Sequence, residues 1–166
     1  MAGEVESPVG HAVRTAVAAD VLGMVALSAA KRAAYAKAVP HFWRPAVDAD
    51  AKQDAWFRHL LARDTTIALV VDGAVGLDGF VIGLVHPAPP VYDPGGLVLA
   101  IDDFCVRDPA TWATVGEALL REVRTRGCAK GAVLVIVVAG VHDGPKLALF
   151  GPGGFTTTSH WFTAPI

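Results

Sequence analysis

Residues 102–123 read DDFCVRDPATWATVGEALLREV, and the fold turns on them. Their first half continues an apolar run from Leu97 and predicts a strand over 97–106, interrupted only by the acids Asp102 and Asp103. Their second half sets Val115, Ala118, Leu119 and Val123 at helical spacing, with Asp108 or Thr111 as the cap and Gly127 as the stop, which predicts a helix to about Arg126. A strand that passes through a glycine-bearing turn into a helix makes an anion site, because the unpartnered N–H groups of the first turn and the positive end of the helix dipole converge there. Many α/β chains share that geometry, and Gly116 has a second reading as a point of close helix packing.

Downstream, residues 132–139 are nearly all Val, Leu, Ile and Ala, the pattern of a central strand covered on both faces. A short helix over 146–150, the glycines of 151–154 and an alternating final strand over 155–163 complete the chain. Upstream, a strand over 11–17 precedes an alanine-rich helix over 18–34 with Asp20 at its start. An amphipathic helix over 49–63 presents Ala55, Trp56, Leu60 and Leu61 as its apolar positions. The β-branched runs 65–71 and 79–85, joined through Asp72-Gly73 and Asp78-Gly79, predict antiparallel neighbours. Between the first two helices, Tyr35, His41, Phe42 and Trp43 cluster around Pro40 and Pro45, where irregular backbone makes either a pocket wall or a plug for the core.

Composition excludes several classes. The 166 residues suit one domain over 11–166, preceded by a disordered tail over 1–10 whose Glu4 and Glu6 do not fit a secretory leader. A net charge of −2 offers no field for nucleic acid or an anionic membrane, and the apolar stretch 133–141 is too short to span a bilayer. Two cysteines, Cys105 and Cys128, fit reduced thiols in the cytoplasm rather than a disulfide scaffold. The six histidines never stand four residues apart, so no metal is expected. Apolar surface on the final strand leaves a homodimer open.

The order strand, two helices, three strands, helix, strand, helix, strand over 11–162 resembles the GNAT acyl-CoA N-acyltransferases. Within residues 102–123, Gly116 matches the second glycine of that family's pyrophosphate loop, while Thr114 stands at the first and Thr111 at the usual Arg or Gln. The stretch HDGPKLALFGPGGF, residues 142–155, is similar to the family's last helix, with Asp143 in the Asn place, Lys146 in the Ala place and Phe150 in the Tyr place. The resemblance implies an α/β fold with a mixed, mostly antiparallel sheet of six or seven strands, flanked by helices, holding acetyl-CoA where two central strands diverge. It implies that backbone groups of Cys105 and Val106 hold the pantetheine arm, amides of Trp112, Ala113, Thr114, Val115, Gly116 and Glu117 hold the pyrophosphate, and Lys146 lies on the cofactor.

The implied reaction is direct transfer of an acetyl group to a primary amine. The proton acceptor is Asp102 or Asp103, only one of which reaches the site unless a bulge intervenes, and Ala100 takes the position where relatives commonly carry a glutamate. Tyr35, Phe42, Trp43 and His160 are candidate contacts for the amine. Phe150 has no proton to give a departing thiolate, which keeps open a non-catalytic acyl-CoA-binding or sensing module on the same fold.

Overall fold

Strands β1 (Val13–Thr15), β2 (Thr66–Asp72), β3 (Leu77–Pro87), β4 (Leu97–Val106) and β5 (Ala132–Val137) form one five-stranded sheet in sequence order in the computed structural model, which describes residues 11–166. The first three pairings are antiparallel and β4–β5 is parallel. Helix α1 (Val21–Ala38) follows a 3-10 turn, α2 (Ala49–Leu61) enters β2, α3 (Glu117–Ala129) makes the crossover that a parallel pair requires, and α4 (Gly144–Phe150) follows β5.

Alternation along the strands divides the core in two. Ala68, Val70, Phe80 and Ile82 face α1 and α2, packing with Met24, Phe57 and Leu60. Ile67, Leu69, Val81, Leu99 and Ile101 face the other way, onto Val115, Leu119 and Val123 of the α3 region. Each fully buried Leu, Val or Phe contributes about 1.5–3 kcal/mol relative to exposure, and β2, buried from Ile67 to Val71, is the element held from both sides. Arg14 of β1 donates to Asp20 at the start of α1 and to Asp72 at the end of β2, tying three elements together.

Several expectations are corrected. The sheet has five strands, not six or seven, because residues 155–163 form no strand among the described residues. That segment is diverted by its aromatics: Phe155 stacks edge-on against Phe150, Trp161 reaches Phe42, and Thr163 pairs with His41 at 3.0 Å. Consequently β5 lies at the sheet edge rather than at its centre, with Val133, Leu134 and Ile136 exposed. Gly127 does not end α3. It lies inside the helix, where an added Cβ would meet Leu99 at 2.8 Å, and the chain turns instead at Gly131, with φ of +88°. In α2 the buried residues are Phe57, packed on Phe80, and Leu60, so Trp56 is turned away from the core. The expected tail, residues 1–10, lies outside the described residues. Among the described residues no helix is long and apolar enough to cross a membrane.

Candidate active site

The centre of the site is a β-bulge. Ile82 pairs with Asp103 but its neighbour Gly83 pairs with Ile101, which leaves Asp102 as the extra residue on β4. The bulge reverses the alternation: Leu99 and Ile101 face α3 before it, and Phe104 faces α3 after it. Asp102 and Asp103 therefore both fall on the α1–α2 side, where they line one cavity. Asp102 is exposed, whereas Asp103 lies deeper, 3.9 Å from Lys31 Nζ and accepting from Gln53 Nε2 at 3.4 Å. Burial raises the Asp103 carboxyl above its ordinary range and Lys31 opposes that rise, so the group is a better proton acceptor than an exposed aspartate.

At the same level β4 and β5 part. Their pairing ends with Val138 N–H on the Ile101 carbonyl, at 3.0 Å, and β4 continues to Val106 without a strand on that side. Arg107 N–H donates to Asp78 O across β3, and alternation then turns the backbone groups of Cys105 toward β3 and those of Phe104 and Val106 toward the parting. Cys105 is thus corrected to Phe104 as the neighbour of Val106 that offers backbone groups there. The Cys105 thiol is buried, its pKa pushed up by burial, and unsuited to nucleophilic attack.

Lys146 closes the parting. Its Nζ donates to the carbonyl oxygens of Phe104 and Val138, each at 3.2 Å, and lies 5.4 and 5.5 Å from the ring centroids of Phe104 and Trp112. Asp143 caps α4 by accepting from Lys146 N–H. Burial, assisted by the charge of Lys31, lowers the Lys146 ammonium to about 8. Phe150, one turn on, packs against Phe155 and carries no polar atom.

Between β4 and α3 the chain makes a 3-10 turn, Pro109–Thr111, and a π turn, Trp112–Gly116. Ala113, Thr114 and Glu117 are exposed on this turn, while Trp112, Val115 and Gly116 are buried. Gly116 is required by packing, since a Cβ there would stand 2.6 Å from Trp112 Cε3. The Asp108 carboxylate already accepts from Ala110 N–H at 2.9 Å, so an acid occupies the first amide of the turn.

On the other side of the bulge is a cavity of about 460 Å³ lined by α1, α2, the 42–46 segment, Asp102, Asp103 and residues 138–140. Tyr35, Phe42 and Trp43 form part of its wall, and Tyr35 meets Trp43 edge-on at 5.3 Å. Tyr35 OH donates to Asp143 at 3.0 Å and accepts from Gly140 N–H, and burial pushes its phenol above the usual range, so it braces the wall rather than supplying a proton. His160 does not line the cavity; without the final strand it is exposed, 6.3 Å from the Phe162 ring. Sequence reasoning missed Lys31, Gln53 and Trp56 as cavity residues, because helical spacing marks Trp56 as an apolar packing position of α2 and only the packing of α1 against α2 brings the three together. No group of three potential metal ligands occurs among the described residues.

A mixed sheet whose parallel strands part beside a helix start, with a cavity opening on the same bulge, has the fold of the GNAT acyl-CoA N-acyltransferases. Among solved structures, a predicted acetyltransferase from Clostridium acetobutylicum, crystallised with acetyl-CoA, is similar at 16% identity and a TM-score of 0.70, over 93% of this chain and 95% of that one. Glucosamine-6-phosphate N-acetyltransferase from Arabidopsis thaliana is similar at 13% identity and a TM-score of 0.63, over 93% and 97%. A mutant protein from Bacillus halodurans reaches a TM-score of 0.79 at 14% identity, over 93% and 99%. These likenesses establish the fold. No family model and no curated protein matches the chain.

Proposed function

We propose that the chain transfers an acetyl group from acetyl-CoA to a primary amine. One observation carries this reading: the bulge at Asp102 sets a half-buried carboxylate, Asp103, in a cavity on one side of the point where β4 and β5 part. The parting suits a thioester and the cavity suits an amine. Phe104 and Val106 offer the backbone groups for a pantetheine arm, and the amides of the turn at residues 112–117 are the place for the pyrophosphate. For the arm to enter, Lys146 must release the Phe104 and Val138 carbonyls, which its four-methylene side chain can do by rotation.

In the transfer, the neutral amine nitrogen attacks the thioester carbon, the C–N bond forms and the C–S bond breaks. The amine proton passes to Asp103, directly or through one water, and the Lys146 ammonium supplies a proton to the departing thiolate, replacing the hydroxyl that Phe150 lacks. The test is amine-dependent release of CoA thiol. Asp103→Asn should lower kcat about 10²–10⁴-fold, the usual scale of general-base loss, with little change in KM for acetyl-CoA. Unaltered turnover in that variant contradicts the assignment of Asp103.

Phe150, which stands one turn from Lys146 and has no proton to give a departing thiolate, favours a second reading, a non-catalytic acyl-CoA-binding or sensing module. Saturable acetyl-CoA binding without thiol release from any amine would select it.

A further inference from the structure

The cavity beside Asp103 carries more cations than a site for a plain amine needs. Lys31, Arg32, Arg44 and Lys52 line it against two carboxylates, Asp102 and Asp103. Lys31 approaches Asp103 and Arg32 is paired with Asp50. Arg44 and Lys52 have no carboxylate within ion-pair distance among the described residues; Lys52 donates its backbone N–H to Asp48 O, but its ammonium does not pair with that side chain. Unpaired cations in a concave, partly apolar wall attract an anion more strongly than they would on open surface.

Two further features describe the rest of the ligand. Gln53 Oε1 is buried without a hydrogen-bond partner beside Asp103, a second acceptor waiting for an N–H donor. Phe42, Trp43 and Trp56 leave 41%, 37% and 48% of their surface exposed, an unusual cost for three large aromatics unless an apolar group covers them.

We propose that the acceptor is a small amine that also carries an anionic group and an apolar or aromatic body, as an α-amino acid does. This rests on the acyl-transfer reading. The amine lies at Asp103 and Gln53, the anion at Arg44 and Lys52, and the body against Phe42, Trp43 and Trp56. A polyamine is disfavoured because its additional positive charges meet the unpaired Arg44 and Lys52.

The experiment compares phenylalanine, 2-phenylethylamine, phosphoethanolamine and spermidine as acceptors of acetyl from acetyl-CoA. The expected order in kcat/KM places phenylalanine at least tenfold above phenylethylamine, with spermidine last, and phosphoethanolamine shows whether phosphate can replace carboxylate. Arg44→Gln and Lys52→Gln should narrow the gap between phenylalanine and phenylethylamine through KM. Phenylethylamine or spermidine equalling or exceeding phenylalanine overturns the inference. Tryptophan fluorescence provides a readout without turnover: saturable quenching by phenylalanine, weakened in both variants, supports the pocket even if no thiol is released, in which case acyl transfer alone fails. The absence of both saturable quenching and phenylalanine turnover overturns the proposed ligand class.

Discussion

Lys146 is the single fully buried charged side chain among the described residues, and no carboxylate forms an ion pair with it. Two carbonyls and two aromatic faces replace only part of the hydration that its ammonium loses. Burial lowers this ammonium to about 8, below the ordinary lysine value of 10.5, and that direction fixes the sign of its effect on stability. Below pH 8 both folded and unfolded chains hold the proton, and folding carries a penalty on the order of 3 kcal/mol. Between pH 8 and about 10.5 the unfolded chain binds more protons than the folded one, so the penalty fades as pH rises. Thermal melts at pH 7.5 and 9.5 should show this group's contribution as a difference between wild type and Lys146→Met, with the variant losing that component of the alkaline rise. Parallel pH dependences in the two proteins would contradict the buried ammonium.

At the scale of the element, the glycines at the start of α3 and within it serve packing, which for Gly127 differs from the role its spacing suggests. Spacing marks Gly127 as a stop and Gly116 as either a loop residue or a point of close packing, and both are places where a neighbouring side chain fills the space of a Cβ, Trp112 for Gly116 and Leu99 for Gly127. Gly116→Ala gains about 1 kcal/mol of helix propensity. It also forces a methyl to within 2.6 Å of a Trp112 ring held edge-on by Phe104, a strain of about 1–3 kcal/mol. Chemical denaturation should show a net loss of up to about 2 kcal/mol, and a gain would place the Trp112 ring elsewhere. The strands over 66–72, 77–87 and 97–106 were legible because β-branched runs between turn residues leave little choice. The bulge was not. Adjacent acids announced an irregularity in β4, but which residue becomes the extra one depends on the register of β3, a property of the pair rather than of either strand.

Across the whole molecule, the element order pointed to the fold while the edge of the sheet escaped prediction. An apolar run such as 132–137 is the pattern of a covered strand, and the coverage it anticipated belongs to a segment whose aromatics dock on the 42–43 wall instead. The site divides in the same way. The acid pair Asp102-Asp103 and the helix start could be read from residue type and spacing as candidates, whereas the choice between the two acids, the Lys146 contacts, the Gln53 acceptor and the cation-lined cavity arise only where elements distant in sequence pack together. The central claim is that acetyl-CoA lies between the parted ends of β4 and β5 and delivers its acyl group at the bulge. The most direct measurement is a titration of the isotopically labelled protein with acetyl-CoA, followed through its amide resonances. The account predicts saturable shifts concentrated at Phe104, Val106 and the turn at residues 112–117, with Asp102 and Asp103 moving at the acyl end; saturable shifts confined to other regions, or none, would contradict it.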